Sequence, residues 1–352
     1  MSKYSSIHRL SAAAAALALA SGSFLLTGCD SSPKKQGSES PSASTSDIPL
    51  DLQAHRGGRG EHTEESLTAF EKALDLGVTT LEFDIVLTAD GVPVVWHDPI
   101  VLPSKCTDAP GNDYVGKKVH DLTWDQLQTL TCDLKLDSFP EQQPAEGNKM
   151  IQLKDVFNLT KQRGADVYYN IETKVEGEHR DWSASPEQFV NVIMSEIENA
   201  GMLDKVTIQS FDWRTLELVK QQYPTVPTVV LWDETTWKGY SMWTGSVDYD
   251  EVGGDIIKAA QQIKADVLSP GYTVPYGLTP ADPNFVLIAN KEFVETAHQA
   301  GLKVVPWTIN DEDAMKAQIA TGVDGIITDY PTKLRKVMEE QKMDLPTPYP
   351  AK

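Results

Sequence analysis

Cysteine is almost absent, with three residues in a chain of 352. No CxxC and no neighbouring Cys/His pair occurs, so thiolate metal sites have no support. Basic residues are also short: 31 Lys and Arg stand against 51 Asp and Glu, for a formal net charge of −20. That sign excludes nucleic-acid binding through a global field. A phosphate ligand must then be held by a local basic site or a metal. Histidine is scarce too, seven in all, which makes its placement informative. No internal repeat shows beyond an alternation of strand-like and helical segments.

The one long apolar run opens the chain. Lys3 and Arg9 flank or precede residues 10–26, rich in Ala and Leu, in the layout of a secretory signal. Leu26-Thr27-Gly28-Cys29 resembles the bacterial lipobox. That resemblance implies cleavage before Cys29 and a diacylglycerol on its thiol; a transmembrane anchor or a plain secreted protein are the alternatives. Residues 1–28 read as a lipoprotein signal peptide, and 29–47 as a flexible Ser/Pro-rich tether too polar to bury a core. The protein is expected outside the cytoplasm, lipid-anchored at the cell membrane. Removing 1–28, with two basic residues and no acid, takes the charge from −20 to −22. Cys106 and Cys132 then remain in an oxidising compartment and are expected to pair. Such a bridge stabilises by roughly 3–4 kcal/mol if loop entropy dominates.

From residue 48 to 338, strand patterns alternate with helical ones, as in one large α/β domain. Strands are predicted near 52–56, 80–87, 167–172, 206–210, 228–231, 267–269, 304–307 and 325–328. Apolar spacing of three and four predicts helices over 66–76 (Leu67, Phe70, Leu74) and 187–200 (Phe189, Val190, Ile193, Ile197). Shorter ones follow at 292–300, 312–320 and 333–341. Eight βα units in this length point to a TIM (β/α)8 barrel, with a doubly wound sheet as the alternative. Residues 98–149 are polar, hold both mature cysteines and read as an insertion after the second strand. Residues 233–264, with Trp237 and Trp243, read as either an aromatic lid or a locally packed loop. The end, 339–352, reads as a C-terminal tail, unstructured from Asp344.

The polar residues fall on strand ends. Glu82 and Asp84 share one strand face, since i and i+2 point the same way, while Leu81, Phe83 and Ile85 point to the other. Two carboxylates on an inward face repel unless a cation sits between them. Oxygen donors suit a hard ion, Ca²⁺ or Mg²⁺. Glu172 ends another strand and is the expected third donor; Lys174 shares its face. His55 and His97 lie at strand ends beside Arg56 and Asp98, where barrel sites form. Two imidazoles can serve as base and acid, and Arg56 and Lys174 can meet phosphate oxygens. The set is that of a metal-assisted phosphodiester hydrolase.

The chain resembles the glycerophosphodiester phosphodiesterase family. The matches are His55-Arg56-Gly57, the helix start from Glu64 to Phe70, Glu82-x-Asp84, Thr88-x-Asp90-Gly91 and His97-Asp98. Further along they are Asn170-Ile171-Glu172-x-Lys174, Gln209-Ser210-Phe211, Trp307-Thr308-Ile309-Asn310 and Asp324 through Pro331. The resemblance implies a TIM barrel, a divalent metal on Glu82, Asp84 and Glu172, and His55 and His97 as the acid/base pair. It also implies Arg56 and Lys174 on phosphate, with Trp307 at the glycerol end. The implied reaction passes through a cyclic phosphate to glycerol 3-phosphate; direct attack by water is the competing route. One departure stands out: where the family reads Pro-Glu-Asn-Thr, this chain has Thr63-Glu64-Glu65-Ser66. An added carboxylate at Glu65 either strengthens metal binding or alters substrate preference. Teichoic acid is a rival substrate, because glycerol-phosphate polymers carry the same linkage. Phospholipase-type relatives would need an apolar rim. A non-catalytic phosphodiester-binding lipoprotein is the alternative of another class.

Overall fold

The computed structural model describes residues 49–351. The signal peptide, Cys29 and the tether lie outside the described residues. Among the described residues, eight parallel strands form the wall of a barrel. They are β1 (Asp51–His55), β2 (Thr80–Leu87), β5 (Tyr168–Thr173), β6 (Val206–Ser210), β7 (Thr228–Trp232), β8 (Val267–Pro270), β9 (Lys303–Val304) and β10 (Gly325–Thr328). Their order is β10-β1-β2-β5-β6-β7-β8-β9. Backbone bonds close the ring between its ends: Asp324 N–H to Val304 C=O at 2.9 Å, Ile327 N–H to Pro306 C=O at 3.1 Å and Ile309 N–H to Ile327 C=O at 3.0 Å. The expected strand at 304–307 is cut short as a ladder because Pro306 has no N–H to give, yet its carbonyl still pairs.

Helices cover the outside, and local chemistry sets their ends. α4 (Pro186–Ala200) starts on a Ser185/Gln188 capping box with proline in its first turn and stops at left-handed Gly201. Its Phe189, Val190, Ile193 and Ile197 are buried, each contributing about 1.5–3 kcal/mol of transfer free energy. α1 (Leu67–Leu76) is capped by Ser66, whose Oγ accepts from Ala69 N–H at 3.0 Å. Phe70 and Leu74 face the core as expected, but Leu67 is exposed. Leu81, Phe83 and Ile85 are buried in the main core, between sheet and helices. The helices α3 (Leu153–Arg163), α5 (Trp213–Gln222) and α6 (Ile256–Gln262) are additional to those expected. No helix among the described residues is long and apolar enough to cross a membrane.

The insertion after the second barrel strand leaves from β3 (Pro93–Val95), antiparallel to β2, and returns through β4 (Ile151–Gln152), antiparallel to β3. It holds the one-turn helix α2 (Trp124–Leu127) and its own apolar cluster of Val101, Cys106, Val119, Leu122, Leu127, Leu130 and Cys132 against Trp96 and Met150. Cys106 and Cys132 are bonded within it (S–S 2.06 Å). In the 233–264 segment, Trp237 stacks on Trp213 at 5.3 Å and meets Tyr249 at 4.9 Å. This part is local packing; the segment ends in α6, an ordinary barrel helix.

The C-terminal tail is not a loose end. Helix α9 (Pro331–Glu340) runs past residue 338, and the proline-rich stretch beyond it lies against the barrel. Tyr349 N–H donates to Leu74 C=O at 2.7 Å, and Arg335 donates to Pro346 C=O at 2.8 Å. Prolines prevent a helix there, but arginines and a helix end satisfy the backbone instead.

Candidate active site

The barrel interior is divided. On one side Gln53, Asn170 and Gln209 form a buried amide chain: Asn170 Nδ2 donates to Gln53 Oε1 at 2.9 Å and to Gln209 Oε1 at 2.8 Å. Gln209 in turn donates to Glu82 Oε1 at 2.5 Å. On the other side Val229, Val267, Val305 and Ile327 form an apolar cluster, with Trp307 packed on it. A cavity of about 600 Å³, counting its open mouth, sits over both and is lined by His55, Arg56, Glu82, His97, Glu172, Lys174 and Trp307. Arg59, Gln209, Phe211, Tyr276 and Asp329, none of them given a site role by sequence reasoning, also line it.

Strand register builds the acidic group. β2 and β5 are adjacent and parallel, with Asp84 opposite Glu172. One oxygen from each of Glu82, Asp84 and Glu172 lies within 4.8 Å of the others, and all three residues are buried. Both carboxylate oxygens of Asp84 are buried without a hydrogen-bond partner. Burial, then Asp84 and Glu172, push the Glu82 carboxyl well above its usual range. Burial outweighs Lys174 and raises Glu172 to about 7. Asp84 goes the other way: burial opposes its charge, but His97, Arg56 and Lys174 hold it well below the usual range. An all-oxygen donor set with orphaned buried oxygens fits a hard divalent cation.

Cations border this group. The turn after β1 puts Arg56 in the left-handed region (φ 52) and Gly57 at φ 78. A Cβ at Gly57 would lie 2.9 Å from the Ala69 Cβ, so only glycine fits. The turn aims the Arg56 N–H at Glu82 Oε2 (3.0 Å) and its Nε at Asp84 Oδ2 (3.1 Å). Holding a non-glycine residue there costs roughly 1–3 kcal/mol, strain typical of functional turns. Lys174 Nζ pairs with Glu172 Oε1 at 2.7 Å and lies 3.7 Å from Asp84 Oδ1.

Each candidate imidazole has a carboxylate behind it. His55 Nδ1–H donates to Asp329 Oδ1 at 2.5 Å, and Asp329 Oδ2 accepts from Asn310 at 2.7 Å. His97 Nδ1–H donates to Asp98 Oδ1 at 3.0 Å. Both rings therefore keep Nε2 free of these partners. Burial lowers the His55 pKa against the pull of Asp329. Burial, Arg56 and Lys174 lower that of His97 to about 3. Burial thus disfavours the imidazolium form of both rings. Asp329 follows the last barrel strand as His55 ends the first; in the sequence it stands within the Asp324–Pro331 match, with no role assigned to it.

Glu65 is placed beside a member of the acidic group. It is buried, at φ 53, and its Oε1 accepts the Asp84 N–H at 3.0 Å. Burial and the Asp84 charge raise its pKa well above the usual range. Trp307 packs edge-on to Phe211 (5.5 Å) and beside Tyr276 (5.4 Å). Trp243 reaches this wall only through Phe211, at 6.4 Å.

Fold and site define a class, a TIM-barrel enzyme whose cavity gathers two histidines and basic side chains beside an acidic triad that could hold a metal ion. The model of the glycerophosphoryl diester phosphodiesterase family matches residues 55–333. A glycerophosphodiester phosphodiesterase of Caldanaerobacter subterraneus subsp. tengcongensis is 27% identical over 281 residues, 80% of this chain and 94% of that protein. A crystal structure from Silicibacter pomeroyi DSS-3, bearing the same family name, superposes with a TM-score of 0.72 at 26% identity, covering 85% of this chain and 96% of its own. An Oleispira antarctica phosphodiesterase, solved with the product sn-glycerol-3-phosphate, shares the fold with a TM-score of 0.61 at 18% identity, over 83% of this chain and 97% of its own. The chain belongs to the glycerophosphodiester phosphodiesterase family and is an enzyme of that kind.

Proposed function

We propose that this cavity hydrolyses glycerophosphodiesters to glycerol 3-phosphate and an alcohol, with Ca²⁺ or Mg²⁺ held by Glu82, Asp84 and Glu172. One observation carries the reading: two carboxylate-oriented histidines line the same cavity as Arg56, Lys174, Glu82 and Glu172. The product bound to the Oleispira antarctica relative agrees with it.

The cation, when bound, supplies Lewis-acid neutralisation of the phosphoryl charge. Arg56 offers its planar fork to the non-bridging oxygens, and Lys174 adds a point charge. One imidazole takes the proton of the glycerol hydroxyl next to the ester, and that oxygen attacks phosphorus. The P–O bond to the alcohol breaks as the other imidazole, protonated, donates to the leaving oxygen. Water then opens the cyclic phosphate with the two roles exchanged, which restores both imidazoles and releases glycerol 3-phosphate. Trp307 lines the glycerol end of the cavity.

A substrate panel tests this. With Ca²⁺ or Mg²⁺ present, glycerophosphocholine and glycerophosphoethanolamine should yield glycerol 3-phosphate and the free amino alcohol. Turnover of a teichoic-acid polymer alone would make the protein a wall hydrolase. Turnover confined to phosphatidylinositol or sphingomyelin would make it a phospholipase-type enzyme. Tight binding with no product from any of them would make it a capture protein.

The same proposal puts the domain outside the cytoplasm, tethered by lipid on Cys29. Cys29→Ser should leave an uncleaved or unlipidated precursor that partitions differently in detergent. A variant matured and membrane-held like the parent would remove the lipobox from the account.

A further inference from the structure

Lys105 belongs to the insertion, yet its side chain is buried beneath the active site. Its ammonium donates to two carboxylates, Asp98 Oδ2 and Glu64 Oε1. Asp98 uses its other oxygen to hold His97 Nδ1 at 3.0 Å. Glu64 accepts from the Arg56 guanidinium at 3.2 Å. The lysine also lies 5.1 Å from the Trp96 ring centroid. Its backbone is fixed locally: Lys105 C=O accepts from Leu134 N–H at 3.3 Å, and the next residue, Cys106, is bonded to Cys132.

We propose that Lys105 is a positioning residue for His97, so that the disulfide-stapled insertion aligns one of the two imidazoles. The lysine fixes one oxygen of Asp98. The other oxygen then faces Nδ1 and keeps the proton there. Nε2 is left as the ring atom available to the substrate. Without the ammonium, Asp98 would rotate or take solvent, and the ring would lose its single orientation and tautomer. Removing Lys105 also leaves two buried carboxylates without their shared partner, a costly arrangement. Consistent with this, Asp98 is held well below the usual carboxylate range: burial opposes its charge, but the His97 and Lys105 contacts prevail.

The inference rests on the reading that His97 takes part in proton transfer, so the test uses the metal-loaded mature protein with His97→Ala measured in parallel. Lys105→Met should lower kcat by roughly 10–100-fold, with metal affinity by calorimetry unchanged. KM should stay within about threefold, the pattern of a loss felt in the transition state. Proton–nitrogen correlation spectra should show the His97 ring leaving its single Nδ1–H tautomer. Lys105→Arg should restore both the rate and the spectrum. Asp98→Asn should reproduce the rate defect, and the Lys105→Met/Asp98→Asn double variant should be no slower than Asp98→Asn alone, as expected for one coupled path. If Lys105→Met keeps near-parental kcat while His97→Ala is crippled, the proposal fails and the mechanism stands. A raised KM at unchanged kcat also overturns it, because Lys105 would then act through Glu64 on phosphate binding. If His97→Ala is itself near-parental, the two-histidine mechanism fails first. Should Lys105→Met not fold, Asp98→Asn decides: a parental rate there overturns the proposal.

Discussion

Stripping divalent cations from the protein should abolish turnover of glycerophosphocholine, and Ca²⁺ or Mg²⁺ should restore it. Three carboxylates cannot share 4.8 Å in a buried site as free anions at low cost. Lys174 and Arg56 compensate part of that charge, but neither makes an aligned hydrogen bond to the two buried oxygens of Asp84. A hard cation answers both problems. Its removal also leaves Arg56 and Lys174 alone to meet the developing phosphoryl charge, so the transition state loses several kcal/mol. At 1.36 kcal/mol per tenfold, that is a drop of about 10³-fold or more. The proton count gives a second check. Without the cation, Glu82 and Glu172 have raised pKa values, Glu172 at about 7. Both must be deprotonated to ligate. Cation binding should therefore release protons, and apparent affinity should climb as pH rises toward and through 7. The lowered pKa of Asp84 keeps it ionised across that window, so it adds nothing to the slope. Full activity in excess chelator, with no metal in elemental analysis, would rule the role out.

Strand ends and strand faces were legible because they depend on local spacing. Glu82 and Asp84 share a face by the period of two, and their apolar neighbours fill the other side. The partner of Asp84 was less accessible. That Glu172 stands opposite it is a matter of register between β2 and β5, with the insertion and α3 lying between them in the chain. Asp329 is further still: it reaches His55 across 274 residues because closure places β10 beside β1. Lys105 gave no signal at all, since it sits in a loop without periodicity and becomes meaningful only through contacts with Asp98 and Glu64. The insertion reads as merely polar for a related reason. Its apolar residues are spaced irregularly and gather only in three dimensions, around a disulfide and Trp96. The tail was misjudged because prolines forbid regular structure without forbidding packing. Glu65 was noticed as a departure from the family, but its burial and its place beside Asp84 were not readable in one dimension.

His55→Ala and His97→Ala should each lower kcat on glycerophosphocholine by roughly 10²–10⁴-fold, the usual loss for a general acid or base. Both rings are anchored through Nδ1 by Asp329 and Asp98, so truncation removes a positioned proton carrier rather than a mobile side chain. Metal content should hardly change, because neither imidazole belongs to the acidic group; Glu172→Ala should instead weaken cation affinity. The double histidine variant should be little slower than either single one, since two groups serving one transition state are not additive. Matching anchors leave the roles undivided by geometry, and chemistry can divide them. A nitrophenyl ester has a leaving oxygen that needs no proton. It should rescue the variant that lost the general acid and leave the other impaired. Attack on phosphorus still requires the base, so rescue of both variants would contradict a two-histidine relay. A single variant that retains near-parental kcat on glycerophosphocholine would do the same, and direct attack by water would then be the better description of the reaction.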